Sequence, residues 1–198
     1  MKAHTKGRSK GFTLIELLIV IGIVVILAVA AVLTLNPAEL LRQARDSNRV
    51  NDMGTLKSAV ALYLADASSP NLGISTNCYM SLPNTSGLGT FCGARFVAGT
   101  NTATTTTVIT GTGWIPVNFS AIGAGSPIAA EPLDPVNTTG TNNYYYAYRS
   151  SSTLLTYELN ANMESVKYSL NGPSDVEGTD GGSDTSIFEL GIVPGLNL

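Results

Sequence analysis

From Leu17 to Leu35 the chain runs without a single charged residue and consists almost wholly of Leu, Ile, Val and Ala. A helix of about 20 such residues covers about 30 Å of hydrocarbon, so this stretch fits a membrane before it fits a soluble core. Extended back to Phe12, the run is interrupted only by Glu16. Lys2, Lys6, Arg8 and Lys10 precede it, and an excess of basic residues on one flank places that flank in the cytoplasm and the remainder outside it. A cleaved secretory signal is the competing reading. Its apolar part is normally about 7–15 residues and ends at a small-x-small site, whereas this run is longer and ends in Leu33-Thr34-Leu35-Asn36.

The sign of the charge narrows the partners. The formal net charge is −3, with 11 basic and 14 acidic residues. Setting the four basic residues before Gly11 aside leaves seven basic against 14 acidic, a net −7. Such a chain is a poor electrostatic partner for nucleic acid. An active site has little to build on, because the one histidine, His4, precedes the apolar run. No constellation of carboxylates suggests catalysis, and the expectation is a protein that is not an enzyme.

Glu16 is the anomaly. An ionisable group in an apolar segment costs about 2.5–3.5 kcal/mol on insertion scales, and is rare without a partner. Lying five residues from Gly11, it either reaches interfacial water or meets a cation from another chain. A cut after Gly11 would create such a cation, the α-amino group of Phe12. A neighbour's Glu16 and this amine would then neutralise one another.

The stretch "KGFTLIELLIVIGIVVILAVAAV" resembles the signal of type IV pilins and type II secretion pseudopilins: a basic leader ending in Gly11, then Phe12, then Glu16 fifth after the cut, then a long apolar helix. The resemblance implies cleavage between Gly11 and Phe12 by a membrane-embedded prepilin peptidase, N-methylation of Phe12, and assembly through Phe12 and Glu16. It also implies helical homo-oligomers built at an inner-membrane assembly platform with its ATPase, from subunits held in lipid beforehand.

Beyond the apolar run, Asn36 is placed to cap a helix that starts at Pro37, with Glu39 in its first turn. Val50, Met53, Leu56, Val60, Tyr63, Leu64 and Ala67 recur at three- and four-residue steps and predict one apolar helix face. Arg45, Asp46, Arg49, Asp52, Lys57 and Asp66 fall on the other face. One helix from Thr13 to Ala67, interrupted only at Asn36-Pro37, would be about 80 Å long. Its second half would pack on a sheet, as in the proteins the signal resembles.

Residues 70–198 lack helical periodicity and read as β-rich. "TNTATTTTVITGTG" (100–113) reads as an exposed strand or loop, and "WIPVNF" (114–119) as an edge strand because of Pro116. "NYYYAYR" (143–149) and "TLLTYELN" (153–160) predict a hairpin whose tyrosines cover the helix on one side and meet water on the other. "SVKYSL" (165–170) and "SIFELG" (186–191) are further strand candidates. Asp134, between Pro132-Leu133 and Pro135, reads as turn chemistry. Major pseudopilins have a similar turn before an aromatic strand.

Cys78 and Cys92 enclose a loop of about 15 residues; outside the cytoplasm a disulfide is the default, worth about 3 kcal/mol in the chain-entropy account, with free thiols the alternative. Asp175, Glu177, Asp180 and Asp184 share a Gly-rich segment. Composition alone reads it as a solvated acidic loop, and the spacing is not that of an EF-hand. Major pseudopilins bind calcium in a similarly placed loop, so the resemblance implies a structural Ca²⁺ with these four residues as ligands, and no required cofactor.

The expectation is therefore α+β: a pilin-like fold with one long N-terminal helix packed on a C-terminal antiparallel sheet. Its parts are a cleaved leader (1–11), a transmembrane and assembly half-helix (12–35), an amphipathic half (36–68) and an extracytoplasmic β-rich domain (69–198). Its expected function is a filament subunit of the pilus or pseudopilus kind. The alternative is a single-pass anchored binding protein that never polymerises, which would need neither Gly11-Phe12 nor Glu16.

Overall fold

The computed structural model describes residues 11–140 and 143–192, so the basic leader lies outside the described residues. The chain divides into two compact units, residues 1–40 and 41–198.

The first unit carries α1, Leu14–Leu35. Glu16 follows Thr13 by three positions, which forms a capping box at the start of α1. The helix ends at Asn36, whose backbone is left-handed (φ 40°, ψ 72°). Asn is one of the few L-residues that adopts this conformation readily. Pro37 then opens α2, Pro37–Asp66, at a position where a missing N–H costs nothing. Asn36 also caps that start: its Oδ1 accepts the Glu39 N–H at 3.4 Å and its carbonyl accepts the same N–H at 3.0 Å. The interruption read at Asn36-Pro37 is thus a true break, and two helices stand where one continuous helix was expected.

In the second unit, α2 buries Met53, Leu56, Ala59, Val60 and Tyr63, the stripe predicted by its periodicity. It packs on a five-stranded sheet of order β2-β1-β3-β4-β5, formed by β1 (Asn77–Met80), β2 (Thr100–Ala103), β3 (Ala147–Ser151), β4 (Thr156–Ala161) and β5 (Phe188–Gly191). β1 and β2 are parallel, and every other pairing is antiparallel. The architecture is α+β and pilin-like, as expected. The hairpin is β3–β4, and the "SIFELG" segment supplies β5.

Both faces of the sheet are covered. Tyr148, Tyr157 and Leu159 join the core beneath α2, where Tyr146 O–H donates to Asp52 at 2.7 Å. On the far face, Cys78, Met80 and Ala147 pack with Leu82, Cys92, Phe96 and Tyr145. The disulfide Cys78–Cys92 lies in this second cluster. Tyr145, Tyr146 and Tyr148 are all fully buried, so the expected watery tyrosine face is absent. The reason is that loop 83–99 supplies a second layer, with Leu88, Cys92 and Phe96, that strand alternation alone does not announce.

Two strand expectations are corrected. Residues 114–119 form a buried loop with one isolated bridge, Thr110–Asn118. Its alternating Trp114, Ile115, Val117 and Phe119 are all buried, and its backbone finds partners outside a ladder: the Ile115 N–H donates to Glu131 Oε2 at 2.9 Å. The Trp114 indole N–H donates to the Pro132 carbonyl at 2.9 Å. Residues 165–170 are turns, pinned by Ser174 N–H to Lys167 O (2.9 Å) and Val176 N–H to Tyr168 O (3.0 Å).

Four glutamates are buried with this scaffold: Glu131, Glu158, Glu177 and Glu189. Burial pushes the Glu131 carboxyl up to about 8. Burial, reinforced by the neighbouring Glu189 carboxyl, pushes Glu158 up to about 8, and burial pushes Glu177 up to about 7. A carboxyl whose pKa is raised on folding stabilises the fold fully below its ordinary value near 4.5, and that stability is lost as pH rises through the folded value. The melting temperature of the chain should therefore fall as pH is raised from about 5 to about 8.5. A melting temperature that is flat or rising over that range, measured by circular dichroism, contradicts the buried protonated carboxyls.

Candidate processing site and the buried charge network

The processing site predicted from the sequence occupies the start of the first unit. Gly11 and Phe12 precede the helix in irregular backbone, and Phe12 is 89% exposed. The bond expected to be cut thus lies between two exposed residues. Thr13 is the N-cap of α1 (φ −82°, ψ 152°). Its Oγ accepts the Glu16 N–H at 3.3 Å, while its own N–H and O–H both donate to Glu16 Oε2 at 2.8 Å. Negative charge is favoured at this end of a helix by the macrodipole.

Glu16 thus has a task inside its own chain that the sequence reading missed. The signal was present: Thr13-Leu14-Ile15-Glu16 ahead of an apolar run is a capping-box pattern. Both intrachain bonds fall on Oε2, so Oε1 carries none among the described residues. Behind this cap, every large apolar side chain described in α1 is more than half exposed. Leu14–Val32 is long and apolar enough to cross a membrane.

The second unit holds a buried charge network that the sequence reading placed on a polar helix face. Asp46 and Arg49, one turn apart on α2, are both fully buried. Arg49 Nε and Nη2 bind Asp134 bidentately at 2.7 and 2.8 Å, and Nη1 binds Asp46 at 2.7 Å. Glu164 lies 2.7 Å from Arg49 Nη2 and also receives Nε of Arg45 at 2.8 Å. Asp46 accepts the backbone N–H groups of Glu164 (3.0 Å) and Ser165 (2.7 Å). Burial lowers the Arg49 pKa, but the hydrogen bonds and charges of Asp134, Asp46 and Glu164 outweigh it and raise it overall. Asp134 does keep its turn role, accepting the N–H groups of Val136 (2.8 Å) and Asn137 (3.2 Å). Its pairing with Arg49 across 85 residues left no trace in sequence spacing.

The four carboxylates considered for calcium do not converge. Asp175 accepts the N–H groups of Gly178 (2.7 Å) and Asn171 (2.8 Å). Glu177 is buried and accepts those of Met163 (2.8 Å) and Leu170 (3.1 Å). Asp180 binds the N–H groups of Gly182 (2.8 Å) and Glu189 (2.6 Å), and Asp184 binds the N–H of Ser186 (2.9 Å). Asp175, Asp180 and Asp184 cap local turns while Glu177 ties its segment to Met163 and Leu170, and among the described residues no three acidic, His or Cys side chains gather as a metal site. This arrangement does not fit a ready-made Ca²⁺ cage.

An apolar helix capped by its own glutamate, followed by a helix on a five-stranded sheet, defines a pilin-like protein. Residues 6–32 match the prokaryotic N-terminal methylation motif, the prepilin-type signal. The match covers the N-terminal segment, and the α+β architecture that follows it is pilin-like. No curated protein and no solved structure matches it.

The network yields a graded expectation. Removing one partner of a buried ion pair typically costs about 3–5 kcal/mol because it strands the other charge. Arg49→Met leaves Asp46, Asp134 and Glu164 facing one another and should destabilise the second unit by about that amount in urea unfolding. Arg45→Ala removes a half-exposed partner and should cost about 1 kcal/mol or less. Equal effects of the two changes would contradict the ranking.

Proposed function

We propose that the chain is cut between Gly11 and Phe12, N-methylated at Phe12, and polymerised through α1 into a helical filament of the pilus or pseudopilus type. The observation that carries this reading is the state of Glu16. It lies inside a methylation motif, at the start of a helix with exposed apolar sides, with one carboxylate oxygen bound at home and the other uncommitted. A Phe12 amine from a neighbouring subunit is the complementary partner for Oε1. Apolar helices gain little by leaving lipid for one another, since lipid tails are as apolar as leucine. A charge pair adds what is lacking, because only one stagger between helices brings amine to carboxylate.

The partners follow from this route: the prepilin peptidase, an inner-membrane assembly platform with its ATPase, lipid before assembly, and further copies of the chain afterwards. The subunit starts as a single-pass membrane protein with residues 41–198 outside the cytoplasm and ends in an extracytoplasmic filament.

Mass spectrometry of assembled protein should find an N-terminus at methylated Phe12. Glu16→Gln should leave the protein made, inserted and cut, yet reduce filament yield severely, because the stranded amine costs about 3–5 kcal/mol. Since Glu16→Gln retains a side-chain oxygen for the Thr13 cap, helix loss does not account for such a defect. Normal filament numbers from Glu16→Ala at normal membrane abundance would overturn the assembly role and favour the anchored, non-polymerising alternative.

Calcium stands as a separate proposal, supported by the acidic Gly-rich composition of residues 175–184 and by the pseudopilin resemblance. Binding would require the turn caps of Asp175, Asp180 and Asp184 to reopen toward one ion. A calcium-dependent rise in melting temperature, through mass action on the folded state, is the expected sign. Superimposable melting curves in calcium and in chelator would end the proposal.

A further inference from the structure

Arg95 follows a four-residue turn, Phe91–Ala94, in which every φ is positive: 57°, 55°, 76° and 65°. Left-handed backbone costs an ordinary L-residue about 1–2 kcal/mol, and three of these four are not glycine. The turn is held against that cost from several sides. Cys92 is bonded to Cys78, its carbonyl accepts the Tyr145 O–H at 2.7 Å, and its N–H donates to Asn101 Oδ1 at 2.7 Å. A Cβ at Gly93 would stand 2.4 Å from the Tyr145 hydroxyl oxygen, so glycine is required there. Backbone strain of this kind clusters at ligand sites, where the surroundings over-determine it.

What the turn delivers is a buried guanidinium without a counter-charge. Arg95 is 8% exposed, stacks on the Tyr145 ring at 3.8 Å, and donates only to backbone carbonyls: Tyr145 (2.7 Å), Asn160 (3.3 Å) and Asn143 (2.5 Å). Among the described residues no carboxylate forms an ion pair with it, in contrast to Arg49, which has three. Buried charges are normally paired. Nη1 and Nη2 make all of these bonds, and Nε makes none.

Arg95 lines a cavity of about 300 Å³, together with Asn143, Asn162, Asp184, Ser186 and Ile187. That is the lower end of small-ligand sites. Asp184 is exposed and lies on the same cavity without reaching Arg95. The cavity therefore presents a cation and an anion held apart, with amide and hydroxyl groups beside them.

We propose that this cavity binds a small zwitterion, a free α-amino acid, with its carboxylate on Arg95 and its ammonium on Asp184. A simple anion would meet repulsion from Asp184. A neutral solute would leave the guanidinium without a counter-charge. A zwitterion answers both charges on the one cavity. The site is far in sequence from the methylation motif.

The test is titration calorimetry of the full mature chain in detergent at low salt. Glycine, serine and valine are the zwitterionic probes, with acetate and ethylammonium as half-probes. At least one amino acid should bind saturably and at least about tenfold tighter than either half-probe, a difference of about 1.4 kcal/mol. Asp184→Asn, an exposed change, should weaken the amino acid about fivefold, as expected for a rim charge worth about 1 kcal/mol, and should strengthen acetate. Arg95→Met should abolish binding; where that variant fails to fold, the Asp184→Asn result decides. Absence of saturable heat from all three amino acids would overturn the site. So would acetate binding as tightly as the amino acid, or unchanged amino-acid affinity in Asp184→Asn.

Discussion

The buried Arg49 guanidinium is neutralised by anions drawn from three parts of the chain, and its placement organises the second unit. Three carboxylates reach it: Asp46 from the same helix, Asp134 from the turn between two prolines, and Glu164 from the segment after β4. A hydrophobic stripe tolerates small rotations of α2, because apolar contacts are non-directional. Arg49 does not, since a turned helix would strand a bare charge in the core. Such networks add little net stability compared with apolar packing, and their attested use is to fix register. Here the fixed register aims Met53, Leu56, Val60 and Tyr63 at the sheet and brings Asp52 to the Tyr146 hydroxyl.

The sheet repeats the theme on its other face. Arg95 is buried there among carbonyls and an aromatic ring, and the second apolar cluster closes around the disulfide. Two of the three buried arginines, Arg49 and Arg95, thus stand in opposite electrostatic states. One is compensated within the chain and serves the fold. The other is held by a strained turn and left without an anion.

What the sequence disclosed, and what it did not, follows the range of each interaction. The apolar span, the break at Asn36-Pro37, the helical stripe of α2, the β3–β4 hairpin and β5 all rest on local periodicity or turn chemistry, and all are present. The disulfide followed from compartment and the presence of just two cysteines. Residues 114–119 misled because alternation was taken for a ladder, when the same burial is served by a loop bonded to Glu131 and Pro132. Asp46 and Arg49 misled because charged residues on a helix normally face water. Their partners lie 85 and about 118 residues onward, beyond anything spacing can show. The hydrogen-bonded cap between Thr13 and Glu16 was legible, and was obscured by the more conspicuous cost of a carboxylate in lipid.

Those long separations set an order in time. α2 is among the first parts of the second unit to be synthesised, yet Arg49 and Asp46 find their partners only once residues 134 and 164 have followed. Until then the helix has a reason to stay in water on the side it will later bury. Loop closure over such distances slows folding, and contacts between distant residues form late. The helix therefore keeps these charges solvated until the far end of the chain has been made. Only when that end arrives can the helix be covered, so premature collapse onto the wrong strands is discouraged by the same charges that later lock the right ones.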